Sequence, residues 1–159
     1  MGSKAKTLAE HLAGVPDPRK VRGQRHVLLD IILIAILGTL SSVDDWEGIE
    51  EFAKDQEAWL RTFLELPHGI PSHDTFNRVF RLLDPQAFGE DGLRTRMGNG
   101  PETGAILRHI TLNMLRQDPN TKRSIRHRRL KAALSQEYRL AALLGFPADQ
   151  NTTAPSLQR

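Results

Sequence analysis

The densest charge in this 159-residue chain lies in "RQDPNTKRSIRHRRLK", positions 116–131, which sets Arg116, Lys122, Arg123, Arg126, Arg128, Arg129 and Lys131 against Asp118 alone. Clustered guanidinium groups pair with phosphate in bidentate fashion, so this spacing points to a nucleic acid or another polyanion. The plainer alternative is a solvated run of charge. A second basic stretch, "RKVRGQRH", holds Arg19, Lys20, Arg22, Arg25 and His26. Few aromatic residues interleave with either stretch, which disfavours a stacking platform for single strands. A third candidate is the turn "LPHGIPSHDTF", which suits a helix-turn-helix whose second helix would offer Ser72, His73, Thr75, Asn77 and Arg78 to a groove while Phe76, Val79 and Phe80 face the core. An ordinary capped helix after a proline turn gives the same pattern. The preceding segment, with Asp44, Asp45, Glu47, Glu50, Glu51, Asp55 and Glu57 against Lys54, would repel a phosphate backbone.

Catalytic constellations are sparse. There is no cysteine, which removes thiolate nucleophiles and disulfides and suits a reducing cytosol. The six histidines show no metal-protease spacing, and neither a G-x-S-x-G elbow nor a glycine-rich phosphate cradle is present. Asp44–Asp45 and Glu50–Glu51 are sequence neighbours that point in different directions on a helix, and so read as solvated charge rather than a metal pair. Glu90–Asp91 differs in its setting, the stretch "PQAFGEDGLRTRMGNGPETG", which has no apolar periodicity.

The elements that must position these residues read as helices throughout. Leu8, Leu12 and Val15 predict a short helix ended by "PDP" at 16–18. His26 to Ser42 is apolar nearly all round, the mark of a helix packed on several sides; its apolar run, Val27 to Leu40, is too short to span a bilayer. Val43, Trp46, Ile49, Phe52, Trp59, Phe63 and Leu64 recur at helical spacing. Ser72 predicts an N-cap before a helix from about His73 to Leu83, closed by Asp84–Pro85. Ile106, Ile110, Leu112, Met114 and Leu115 predict a further helix, and "LKAALSQEYRLAALLGF" a last amphipathic piece. With no strand pattern of useful length, the expected class is all-α. The expected divisions are a helical domain at 1–86, a joint at 87–104, a basic helical segment at 105–146 and a polar, disordered tail at 147–159. The amino terminus does not read as a secretory signal.

Residues 8–88 closely resemble the amino-terminal associated domain of H-repeat-associated, ISAs-type insertion-sequence transposases. The likeness rests on Asp17, Pro18, Arg19, Arg22, Gly23, Arg25 and His26, and on the block from Gly69 to Phe80. "FGEDGLRTRMGNG" and "LNMLRQDPNTKRSIRHRRLKA" are similar to the carboxy-terminal end of the same family. The resemblance implies a ribonuclease-H-like core in which Asp, Asp and Glu hold two divalent metal ions such as Mg2+ for strand cleavage. Here only the Glu has a match, Glu90, a remnant of the catalytic set, and the long middle of the family is absent. One carboxylate cannot assemble a two-metal site, so no bound cofactor and no independent catalysis are expected.

The expectation is thus an internally deleted, transposase-derived DNA-binding protein of the bacterial cytoplasm and nucleoid. Its expected partners are insertion-sequence ends, a second copy, or a full-length transposase in a mixed oligomer, with no membrane involved. The alternatives are a helical interaction module, with Trp46 and Trp59 on exposed stripes, and a pseudogene product without a role. One question is left to the fold: Ile106, Ile110 and Met114 must find the amino-terminal helices, a second chain, or water.

Overall fold

The structure, a computed structural model, describes residues 8–84, 102–120 and 122–146. Eight α-helices lie among them: α1 (Leu8–Ala13), α2 (Leu28–Leu40), α3 (Trp46–Asp55), α4 (Glu57–Leu60), α5 (His73–Leu82), α6 (Glu102–Arg116), α7 (Ile125–Leu134) and α8 (Gln136–Leu144). A 3-10 turn, Val21–Gly23, lies between α1 and α2, and no strand occurs among the described residues. The class is all-α.

The bundle is built around α2. Every residue from Ile31 to Leu40 is buried, because α1, α3, α6, α7 and α8 all pack on this helix. A helix that is apolar on all sides has no solvent face, and burial rather than propensity holds it. Its carboxyl end closes in a Schellman arrangement, with Val43 N–H donating to the Gly38 carbonyl at 3.0 Å and Ser42 N–H to that of Thr39 at 3.0 Å. Ser42 occupies the left-handed position there, at φ 70°. Gly38 is where α3 comes closest: a Cβ at that position would stand 3.0 Å from Cγ1 of Ile49.

Side-chain caps start four of the helices. Asp45 Oδ1 accepts from Gly48 N–H at 2.6 Å at the head of α3, and Ser72 caps α5 through Thr75 N–H. Ser124 and Ser135 do the same for α7 and α8. The expected helix from Val43 onward is broken at Gln56, so that α4 is a single turn set off from α3.

Ile106, Leu107, Ile110, Met114 and Leu115 are all buried, and α6 lies along α2. The apolar stripe of the carboxy-terminal segment has therefore found the amino-terminal helices, and both belong to one continuous core. A clasp reinforces the seam. Gln56 Oε1, at the break between α3 and α4, accepts from Arg139 Nη2 at 2.7 Å and from Gln136 Nε2 at 2.8 Å. The buried Arg139 guanidinium lies over the rings of Trp59, at 4.8 Å, and Phe52, at 5.3 Å. Trp59 is thus engaged within the chain, and so is Trp46, which stacks on Phe76 and Phe80 at centroid distances of 6.1 and 4.9 Å. The expectation that both indoles lie on exposed stripes is corrected, because aromatic area of this size is covered first by the chain's own helices.

Among the described residues no helix is long and apolar enough to cross a membrane.

Candidate nucleic-acid interface

The basic run after α6 divides into an inner and an outer set. Arg128 is buried. Its Nη1 donates to the Leu115 carbonyl at 2.6 Å and its Nη2 to that of Asn120 at 2.9 Å, which ties the start of α7 to the end of α6. Asp118, the acid of this run, also turns inward, where it accepts from Tyr138 Oη at 2.6 Å and lies 3.9 Å from Arg128 Nε. Burial, then the Asp118 carboxylate, pushes the Tyr138 phenol far up, so it stays a donor. With Asp118 withdrawn, the outward side is cationic throughout: Arg116, Lys122, Arg123, Arg126 and Lys131 are exposed, and Arg129 is half-buried. Arg123 Nη1 lies 2.9 Å from His127 Nε2, and Lys131 Nζ lies 4.7 Å over the Tyr138 ring.

Along α7 a groove of about 720 Å³ runs past Ser42, Ile125, Arg126, Arg129, Leu130 and Ala133. Leu130 and Leu134 stand exposed on this helix. A phosphate-bearing rod could lie across such a surface with cations beside it and aliphatic carbon between them.

The amino-terminal basic loop divides in the same way. Arg19 is buried and held by Asp17 and by the His26 carbonyl, whereas Lys20, Arg22 and Arg25 are exposed. His26 is half-buried with its ring edge-on to His68 at 6.3 Å, and burial, then Arg25, pushes its pKa down. The groove on α7 opens beside the carboxyl end of α2, at Ser42, and the basic loop leads into the amino end of the same helix.

At α5 the setting is different. Ser72 and Thr75 serve the cap, with their hydroxyls 3.2 Å apart. Glu50 Oε2, reaching over from α3, accepts from His73 N–H at 2.7 Å and lies 2.8 Å from its Nδ1. Lys54 binds the other oxygen at 2.6 Å. These bonds, that of Lys54 first, hold the Glu50 carboxyl down to about 2 and leave it ionised beneath the first turn of α5. His73 is raised, chiefly by its bond to Glu50. Asn77 and Arg78 are exposed. In place of one helix meeting α5 across a short turn, α3 packs on α5 while α4 and residues 61–72 intervene in sequence.

Glu90 lies outside the described residues. Among those described, no three His, Asp or Glu side chains come together as ligands. The burial of Arg19, Arg128 and Asp118 could not be read from composition, because a buried and a solvated guanidinium or carboxylate have the same spelling.

The DDE_Tnp_1-associated family model matches residues 9–92, just over half of the chain. The "Uncharacterized protein in dhlA 3'region" of Xanthobacter autotrophicus is 55% identical over 75 residues, 46% of this chain and 25% of the relative. The "H repeat-associated putative transposase YhhI" of Escherichia coli is 36% identical over 85 residues, 54% of this chain and 22% of the relative. The "Inactive transposase YbfQ" of the same species is 38% identical over 74 residues, 46% of this chain and 88% of the relative. The matched part of this chain therefore spans about a quarter of the length of the first two and most of the third. No solved structure matches. On the family match and on its likeness to nearly all of YbfQ, the chain belongs to the DDE_Tnp_1-associated family.

Proposed function

We propose that this chain is a transposase-derived protein that binds double-stranded DNA without cutting it, with insertion-sequence ends as its target. The observation that carries the reading is the sorting of charge in residues 116–131. The acid of that run is buried against Tyr138 and Arg128, while Lys122, Arg123, Arg126 and Lys131 are exposed and Arg129 is half-buried beside them. The family match gives the reading its context, since "transposase" appears in the names of YhhI and YbfQ. Residues 93–146 lie beyond the family match, and their likeness to the family's carboxy-terminal end is part of this proposal.

In this reading Arg19 and Arg128 act as positioning residues. The α5 surface contributes less, through Asn77 and Arg78, because Glu50 places a negative charge against His73. In this reading the chain competes with an active enzyme for DNA or joins it in a mixed oligomer. Leu130 and Leu134 favour the second route, being 56% and 79% exposed on one helix.

Fluorescence anisotropy of a labelled duplex across a salt series tests the proposal. The expected result is an affinity that falls steeply with salt, and a salt slope reduced by about 1 for each of Arg123→Ala and Arg126→Ala. Tighter binding to a duplex with insertion-sequence ends than to a scrambled one identifies the target. A wild-type protein that binds no duplex at low salt refutes the reading.

A further inference from the structure

The loop from Asp17 to His26 is more firmly built than a link between two helices requires. Arg19 grips Asp17 with two side-chain bonds, Nε to Oδ1 at 2.9 Å and Nη2 to Oδ2 at 2.7 Å, and its backbone N–H adds a third to Oδ1 at 3.0 Å. The same Nη2 donates to the His26 carbonyl at 2.9 Å, which joins the loop's beginning to its end. Gln24 closes it from inside, its Nε2 donating to the Arg19 carbonyl at 3.1 Å and its N–H to that of Val21 at 3.3 Å. The base is therefore fixed, and the Arg19 side chain is 4% exposed.

What this base supports is the 3-10 turn Val21–Gly23. Val21 is 87% exposed, with exposed Lys20 and Arg22 on either side and exposed Arg25 close behind. A lone exposed valine needs no explanation. An exposed valine on a pre-ordered support, bracketed by three cations, combines what a groove in a polyanion requires: charge for the walls, apolar surface for the interior, and little ordering entropy left to lose on binding.

Deepening the DNA-binding reading above, on which this rests, we propose that the loop is a finger that enters the minor groove of duplex DNA. Lys20, Arg22 and Arg25 pair with phosphates on the two walls, and Val21 packs against the sugar-lined interior. The minor groove is about 6 Å wide, which admits a narrow turn and not a helix. Cations combined with a small apolar wedge are the means by which proteins hold that groove. An anionic membrane also attracts cations with an apolar tip, but stable anchoring there needs far more buried hydrocarbon than one valine offers.

The test uses the full chain, a labelled A·T-rich duplex of 30 base pairs read by anisotropy across a salt series, and circular dichroism to confirm that each variant is folded. Lys20→Ala and Arg22→Ala are each expected to lower the salt slope by about 1. Val21→Ser is expected to weaken binding about fivefold at unchanged slope, as loss of apolar contact does. Asp17→Asn gives the sharpest comparison. It removes a negative charge, so bare electrostatics predicts tighter binding, whereas a finger that has lost its support binds more weakly. Netropsin, which fills the minor groove, is expected to compete. Should wild type bind duplex while Val21→Ser and Asp17→Asn, both folded, bind as well or better, the finger is overturned and the DNA-binding reading stands. Val21-dependent capture by phosphatidylserine vesicles, with Val21-independent binding to duplex, overturns it equally. If wild type binds no duplex at all, the broader reading falls and takes the finger with it.

Discussion

Asp30 shows how one buried polar residue can govern a distant loop. It sits in the first turn of an otherwise apolar helix, where burial pushes its carboxyl up, and Oδ2 accepts from Leu66 N–H at 3.0 Å. Leu66 is buried and lies at φ 41°, in the left-handed region that a leucine rarely adopts. The hydrogen bond from a residue 36 positions earlier, together with the bond from Arg61 Nη1 to the Leu66 carbonyl at 3.2 Å, holds that conformation. Asp30→Ala strands the Leu66 N–H and is expected to cost about 1–3 kcal/mol of stability. Asp30→Asn retains an acceptor and should cost clearly less. Urea denaturation of the two variants checks the order, and equal losses would show that charge rather than the hydrogen bond matters.

At the scale of elements, α3 and α5 are joined by the Trp46 stack and by Glu50 on His73, and the second of these contacts depends on pH. The depressed Glu50 contributes stability that is present above the ordinary glutamate value of 4.5 and is lost as the pH falls from there toward about 2. The raised His73 contributes stability that is fully present below 6.5 and is lost as the pH rises through its higher folded value. The joint is therefore firmest between about 4.5 and 6.5. Glu50→Gln is expected to flatten both arms of a plot of thermal midpoint against pH, and an unchanged profile would remove this joint from the account. The elements themselves were legible where their cause is local. The N-cap at Ser72, the end of α5 and the all-round apolar character of α2 all lie in short windows of sequence. The break at Gln56 was not legible, because its amide acts as the acceptor for Gln136 and Arg139, about eighty positions away. Nor was the inward turn of Arg19 and Arg128, since a guanidinium that binds carbonyl oxygens has the same spelling as one that binds phosphate.

For the molecule as a whole, the family match ends at residue 92, yet the core runs on through α6 and α8. The described helices share one set of buried side chains, so they should lose structure together. Leu115→Ala, at a fully buried site on α6, is expected to cost about 2–5 kcal/mol in a single transition seen alike by circular dichroism and by tryptophan fluorescence. Two separated transitions would show that the carboxy-terminal helices melt on their own. The seam between the two parts also gives the chain an optical property. Its two tryptophans both precede the family boundary, but only Trp59 has Arg139 of α8 over its ring, while Trp46 stays among the aromatic residues of α5. Emission from Trp59, read in a Trp46→Phe variant, is thus a gauge of whether α8 is seated, so the molecule signals its own closure without an added dye.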